Sequence, residues 1–264
     1  MPLDQELTRI LTQALSVRPR GLMTDIDGTI SEIAPTPSTA TVIPEARAAL
    51  HTLSSSLDLV AAVSGRAAAD AHAIVDLDSL VYSGNHGMEW WRHGDIEQSA
   101  AAREHAPKID RLLHELRSHV ELDGVLIENK GLTASIHVRG TENPEYAEAL
   151  VGERTEQLAD QHGLRVTHGR LVVEVRPPID LNKGTSVLDL VNRFALQGAI
   201  YLGDDVTDVD AFRAFSQERE RSGKQLYAIG VVAPETPETV IEYADATVHG
   251  TSGVVELLEA AVEI

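Results

Sequence analysis

Leu22-Met23-Thr24-Asp25-Ile26-Asp27-Gly28-Thr29-Ile30 decides how the rest of the 264-residue chain is read. It begins like a buried strand and ends in two carboxylates, Asp25 and Asp27, with Gly28 and Thr29 directly after them. Two like charges in one site repel unless a cation sits between them. Glycine lets the backbone turn sharply there. An Asp-x-Asp-Gly-Thr strand end therefore predicts a magnesium site with one carboxylate free to attack. A solvated acidic turn competes with that reading, and residues further along the chain decide between the two.

Three further pieces lie downstream. Leu57–Val63 predicts a second apolar strand, ending at Ser64-Gly65-Arg66. Ala199–Leu202 predicts another, ending at Gly203-Asp204-Asp205-x-x-Asp208. Lys183 stands where Asn182-Lys183-Gly184 opens a helix, a place that welcomes phosphate. Open α/β sheets bind ligands at the carboxyl ends of their strands.

This set suits phosphoryl transfer to a carboxylate. Aspartate is ionised at neutral pH and needs no base to attack. Asp25 is the expected nucleophile. Asp27 is placed to protonate the leaving alkoxide and then to deprotonate the hydrolytic water. Magnesium takes hard oxygen ligands, here the Asp25 carboxylate, the Asp27 backbone carbonyl and the Asp204 carboxylate. Asp205 and Asp208 are candidates for direct or water-mediated contact. Ser64 and the amides of Thr29 and Gly65 are candidates for the phosphoryl oxygens, and Lys183 for balancing their charge. Arg66 and His86 join the substrate-binding candidates.

Alternation of strand and helix implies a doubly wound, Rossmann-like parallel sheet. Its expected elements include a helix from Pro2 to Val17, a helix entered at Pro44, and a hairpin over Glu89–Gln98 turning at Gly94-Asp95. Thr207 is the expected cap of the last motif's helix, with Asp210 three residues on. Strand 226–232 and helix 252–262 close the chain. Between about 101 and 178 the texture changes to two rounds of helix then hairpin, the second turning at His168-Gly169-Arg170. This predicts a smaller α+β cap domain with a four-stranded antiparallel sheet, inserted into a core of residues 1–100 and 179–264.

Composition limits the alternatives. Hydrophobic residues at 43% and charged residues at 24% describe an ordinary globular protein. A net charge of −19 disfavours nucleic acid. No apolar run is long enough for a membrane span, and Asp4 and Glu6 at the amino end do not suit a signal peptide. Cysteine is absent, which excludes thiol chemistry and fits a cytoplasmic enzyme. A monomer acting on a small sugar phosphate is expected.

In their order, the four core pieces resemble the haloacid dehalogenase-like phosphatases. The resemblance is closer to the trehalose-6-phosphate phosphatases. It is carried by Ser83-Gly84-Asn85-His86-Gly87, Ile127-Glu128-Asn129-Lys130-Gly131-Leu132, Ser135-Ile136-His137-Val138-Arg139, Val173-Glu174-Val175-Arg176-Pro177 and Gly203-Asp204-Asp205-Val206-Thr207-Asp208. Val138 and Val209 depart from the tyrosine and glutamate common in that family, and neither change removes a catalytic group. The resemblance implies magnesium-dependent hydrolysis of trehalose 6-phosphate through an aspartyl phosphate. Glu128, Lys130, His137, Arg139, Glu174 and Arg176 would then read the sugar from the cap. Phosphatases of glucosylglycerol phosphate or mannosyl-3-phosphoglycerate share the core chemistry. A receiver-like switch, which keeps its phosphate, is a different class that the Asp-x-Asp spacing and the inserted domain oppose.

Overall fold

A computed structural model describes residues 3–120, 122–169, 171–234 and 236–264. The expected helix start at Pro2 and the hairpin residue Arg170 lie outside these. The chain forms two compact units, Met1–Glu97 with Leu181–Ile264, and Gln98–Asp180. No helix among the described residues is long and apolar enough to cross a membrane.

The first half of the larger unit contains α1 (Gln5–Leu15), β1 (Arg20–Thr24), α2 (Pro44–Ser56), β2 (Leu59–Val63), α3 (Ala68–Val75), β3 (Val81–Gly84), β4 (Glu89–Arg92) and β5 (Asp95–Gln98). The smaller unit contains α4 (Ala100–Arg103), α5 (Ala106–Arg117), β6 (Leu126–Asn129), β7 (Ala134–His137), α6 (Pro144–His162), β8 (Arg165–Gly169) and β9 (Val172–Arg176). The larger unit then resumes with α7 (Lys183–Arg193), β10 (Gly198–Gly203), α8 (Val206–Ser222), β11 (Gln225–Val232), α9 (Glu238–Tyr243), β12 (Ala246–His249) and α10 (Gly250–Val262).

The larger unit is an eight-stranded sheet in the order β12-β11-β10-β1-β2-β3-β4-β5. β1 pairs in parallel with both β10 and β2. From that centre the chain winds outward in both directions. β4 runs antiparallel to β3. Alternation along each strand builds a core on each face. Leu22 and Ile200 pack under α1, α2 and α10. Met23 and Tyr201 face α7 and α8, against Val187, Leu190, Phe212 and Phe215.

Two expectations are corrected at element ends, and two elements are added. The β4–β5 hairpin turns on His93-Gly94, with φ of 51° and 93°, rather than on Gly94-Asp95. Consecutive left-handed residues match the twist of paired strands. α8 is capped by Asp205 rather than Thr207. The Asp208 carboxylate turns back onto the Asp205 N–H at 3.0 Å, which starts the helix two residues early. β12 and α9 join the elements expected after β11. They have four and six residues with one buried side chain each, Val248 and Val240, too few to show a period.

The smaller unit has a four-stranded antiparallel sheet, β6-β7-β9-β8. One face, with Ala134, Ile136, Val173 and Val175, packs on Ile109, Leu112 and Leu116 of α5 and Val151 and Leu158 of α6. The opposite face is polar. Register sets Glu128 beside Ser135, and Ser135 beside Glu174. The divisions at 97/98 and 180/181 compare with expected positions of 100/101 and 178/179.

Candidate active site

β1 and β10 deliver their acids side by side, because Asp25 N–H donates to Leu202 O at 2.8 Å just beyond the paired strands. Gly28 comes next with φ of +88°, and a Cβ there would collide with the Asp204 carboxylate. Glycine is therefore required twice, for the turn and for the close approach. One oxygen each from Asp25, Asp204 and Asp208 lies within 4.8 Å of the others. Asp27 and Asp205 are outside that group.

Lys183 is the first residue of α7. Its helix is started by an Asn182–Thr185 capping box, with Thr185 N–H to the Asn182 side chain at 2.9 Å and Asn182 N–H to the Thr185 hydroxyl at 3.0 Å. This fixes the ammonium 2.9 Å from Asp25 and 2.7 Å from Asp208. All three groups are buried.

Asp208 is saturated. Oδ1 accepts from Lys183 and from the Tyr201 hydroxyl, and Oδ2 from the N–H groups of Asp204 and Asp205 at 3.1 and 3.0 Å. Four donors fill the lone pairs of a carboxylate. Asp208 thus locks the lysine and the loop carrying Asp204. Asp205 is exposed and contributes its backbone. The Thr29 hydroxyl donates to Asp204 Oδ1 at 3.0 Å, and its N–H to Ile26 O at 3.3 Å. Its side chain therefore steadies an acid of the cluster.

The electrostatics reflect this crowding. Burial, reinforced by Asp208 and Asp27 and opposed by Lys183, pushes Asp25 up to about 7. Burial, then Asp25 and Asp208, pushes Asp204 up to about 9. Burial works against the Lys183 charge, but Asp208 and Asp25 outweigh it and raise its pKa above the usual ammonium value. Burial, then Asp208, raises the Tyr201 phenol well above its ordinary value. Burial and crowding thus hold Asp25 and Asp204 back from ionising, with Lys183 opposing that on both.

Asp27 and Arg66 form a separate pair. Nε donates to Oδ2 at 2.6 Å and Nη2 to Oδ1 at 2.7 Å, while Nη1 reaches Pro37 O at 3.0 Å. Ser64 begins the same loop, and its hydroxyl accepts from the Arg66 N–H at 3.2 Å. His86 is buried, its ring packed against Gly65. On the polar face of the smaller sheet, His137 Nε2 lies 3.0 Å from Glu128, and Glu174 accepts from Lys130 at 3.3 Å and Ser135 at 3.2 Å. Arg139 and Arg176 are half-buried.

Tyr201 was missed from sequence, because it sits in a strand read as apolar. A tyrosine two residues before the Gly203-Asp204 turn was the available signal.

Comparison with known proteins comes from three sides. The trehalose-phosphatase family model matches residues 23–241. A trehalose-phosphate phosphatase of Mycobacterium bovis is 32% identical over 253 residues, covering 89% of this chain and 63% of the relative. One from Mycobacterium leprae is 34% identical over 215 residues, covering 77% and 49%. The chain thus spans less than two thirds of these relatives. The C-terminal domain of a C. albicans trehalose-6-phosphate phosphatase superposes with a TM-score of 0.80 at 22% identity, covering 100% of this chain and 98% of that one. A trehalose-6-phosphate phosphatase related protein gives 0.77 at 22%, covering 92% and 97%. These two likenesses concern the fold.

Proposed function

The chain belongs to the trehalose-phosphatase family, and on that footing we propose that it hydrolyses trehalose 6-phosphate to trehalose and phosphate through an aspartyl phosphate on Asp25. One observation carries the reading: a buried strand-end carboxylate held 2.9 Å from a buried ammonium, with a second strand-end carboxylate, Asp204, alongside.

The donor set fits Mg2+. It is all oxygen, and burial and neighbouring carboxylates raise the pKa values of Asp25 and Asp204. Asp25, Asp204 and the Asp27 backbone carbonyl would hold the ion, with Asp208 supporting from behind. Bound magnesium would offset the repulsion between Asp25 and the substrate phosphate.

The protein's own groups do the rest. An Asp25 oxygen attacks phosphorus, and the bond from phosphorus to the sugar oxygen breaks. Lys183, the Ser64 hydroxyl and the Gly65 amide hold the phosphoryl oxygens through the change of geometry. Asp27 gives its proton to the departing sugar alkoxide. It then takes a proton from water as that water attacks the phosphoaspartate, which frees Asp25 and phosphate. Glu128, Lys130, His137, Arg139, Glu174 and Arg176 read the sugar hydroxyls. A missing hydroxyl would leave a charged partner unsatisfied. Every residue the scheme uses lies in one chain, and a cysteine-free composition suits a cytoplasmic enzyme.

The test is phosphate release with magnesium from trehalose 6-phosphate, glucose 6-phosphate, glucosylglycerol phosphate and mannosyl-3-phosphoglycerate. A clear preference for trehalose 6-phosphate is expected. Equal cleavage of glucose 6-phosphate would remove the substrate assignment. Phosphorylation persisting for minutes without turnover would point to a switch.

A further inference from the structure

Three successive residues behind the Ser64 loop adopt left-handed backbone angles: Asn85, His86 and Gly87, with φ of 49°, 56° and 95°. Asn85 and His86 are buried. Side-chain-bearing residues persist there only when the surroundings over-determine them.

The surroundings here are the loop itself. Asn85 N–H donates to Arg66 O at 2.7 Å, and His86 N–H to Ser64 O at 3.0 Å. Ser64 N–H in turn donates to Ser83 O at 2.8 Å. Segment 83–86 is thus a mould for Ser64–Arg66. A Cβ on Gly65 would lie 2.7 Å from the His86 ring. On the other side, Ser83 Oγ lies 2.6 Å from Ser186 Oγ of α7, the helix that begins with Lys183.

One carboxylate oxygen ties the mould to the start of α3. Glu89 Oε1 accepts from Asn85 Nδ2 at 2.9 Å and from the Ala68 N–H at 2.7 Å, and Glu89 is 4% exposed. Ala68 is the first residue of α3, whose cap residue Ala67 offers no side-chain bond. A carboxylate at an uncapped helix start satisfies an orphan donor and favours its negative charge. The same oxygen therefore ties the chain two residues after Arg66 to the segment that shapes Ser64–Arg66.

We propose that Glu89 is a positioning residue for the phosphoryl-binding loop Ser64–Arg66, acting through Asn85 and the start of α3. This rests on the phosphatase reading of that loop. Glu89 touches no reacting atom. It sets where the Ser64 hydroxyl and the Gly65 amide stand, so its effect falls on the phosphoryl group and not on the sugar. A small misplacement of such groups is costly in rate.

The test compares Glu89→Ala, Glu89→Gln and Asn85→Gly, each assayed with trehalose 6-phosphate and p-nitrophenyl phosphate. Glu89→Ala is expected to lower kcat at least tenfold on both substrates, equally within threefold. Glu89→Gln keeps an acceptor oxygen and is expected to remain within threefold of the parent. Asn85→Gly tolerates the left-handed angle, loses only the amide, and keeps the inference testable should Glu89→Ala not fold; its kcat should fall at least threefold on both substrates. Parental kcat in Asn85→Gly, a loss confined to trehalose 6-phosphate, or a Glu89→Gln variant as slow as Glu89→Ala would overturn the proposal. If the parent cleaves only p-nitrophenyl phosphate, the substrate reading falls and the comparison still stands on that substrate. If the parent cleaves neither, the phosphatase reading falls and calorimetry with inorganic phosphate and magnesium decides. At least threefold weaker binding in Asn85→Gly would then support a positioning role, and unchanged binding would end it.

Discussion

Arg66 holds both carboxylate oxygens of Asp27, at 2.6 and 2.7 Å, in a planar fork. The acid/base role proposed for Asp27 needs it to meet first an alkoxide and then a water, so one arm of this pair would have to yield during each turnover. Arg66→Ala should leave Asp27 unaimed and lower kcat roughly 10- to 100-fold, equivalent to about 1.4–3 kcal/mol of barrier. Asp27→Asn should slow both formation and breakdown of the phosphoenzyme in rapid-quench measurements. A change in metal affinity alone would refute the role given to Asp27.

Asp25→Asn should keep the fold by circular dichroism and lose essentially all turnover. Its neighbours Lys183 and Asp208 still neutralise each other at 2.7 Å, so collapse of the site is not expected. Acid-quenched parent protein should carry phosphate on Asp25. Substantial activity in the variant, with none trapped in the parent, would remove covalent catalysis.

Lys183→Met keeps most of the side-chain volume and deletes the charge. Asp25 and Asp208 would remain buried without their cation, a loss on the order of 3–5 kcal/mol for breaking such a pair. Urea unfolding without metal should show it, together with loss of phosphatase activity. An unchanged midpoint would mean the triad relaxes by taking up a proton.

Metal and pH should act together. Asp25 and Asp204 are raised in the fold to about 7 and about 9, from an ordinary carboxyl value of 3.8. Between those limits the folded chain binds more protons than the unfolded one. The stability they contribute is full below about 3.8 and is lost as pH rises through about 7 and about 9. In EDTA the melting temperature should fall from pH 5 to pH 9. Magnesium needs the ionised acids, so its stabilisation should grow over the same range with release of protons. EDTA should abolish activity, magnesium should restore it, and calcium should support little because its coordination is looser. Full activity in metal-free buffer would contradict the scheme.

On the smaller sheet, Glu128→Ala should take the Glu128 carboxylate away from His137, and Lys130→Ala should remove one of the donors to Glu174. Both should lower kcat/KM for trehalose 6-phosphate tenfold or more, with hydrolysis of p-nitrophenyl phosphate largely spared. Equal loss on both substrates would show that this face does not read the sugar.

The parallel sheet was legible because β1, β2 and β10 are apolar runs ending in turn residues and acids. The start of α7 was legible too, at Asn182-Lys183-Gly184, whereas its Asn182–Thr185 capping box was not read. The duties of the individual acids were not. Spacing made Asp205 and Asp208 look alike, whereas Lys183, Tyr201 and two backbone N–H groups claim both oxygens of Asp208, and Asp205 stands in solvent. Thr29 was expected to offer its amide to phosphate, and its hydroxyl instead holds Asp204 across 175 residues of chain. Such partners depend on how β1 and β10 come together, which no local pattern records.

β1 lies between β10 and β2, with four strands of the sheet from β2 outward and three from β10 outward. Strand opening in such a sheet proceeds inward from β5 and β12, and amide hydrogens at its centre exchange only through the largest unfolding events. The amides of Leu22, Met23 and Thr24 should therefore be among the last to take up deuterium, well after those of β5 and β12. Asp25 would thus be fastened to the slowest-opening part of the chain. Partial melting at either edge leaves Asp25 and its lysine in register, so heat should cost the protein its outer strands before its chemistry.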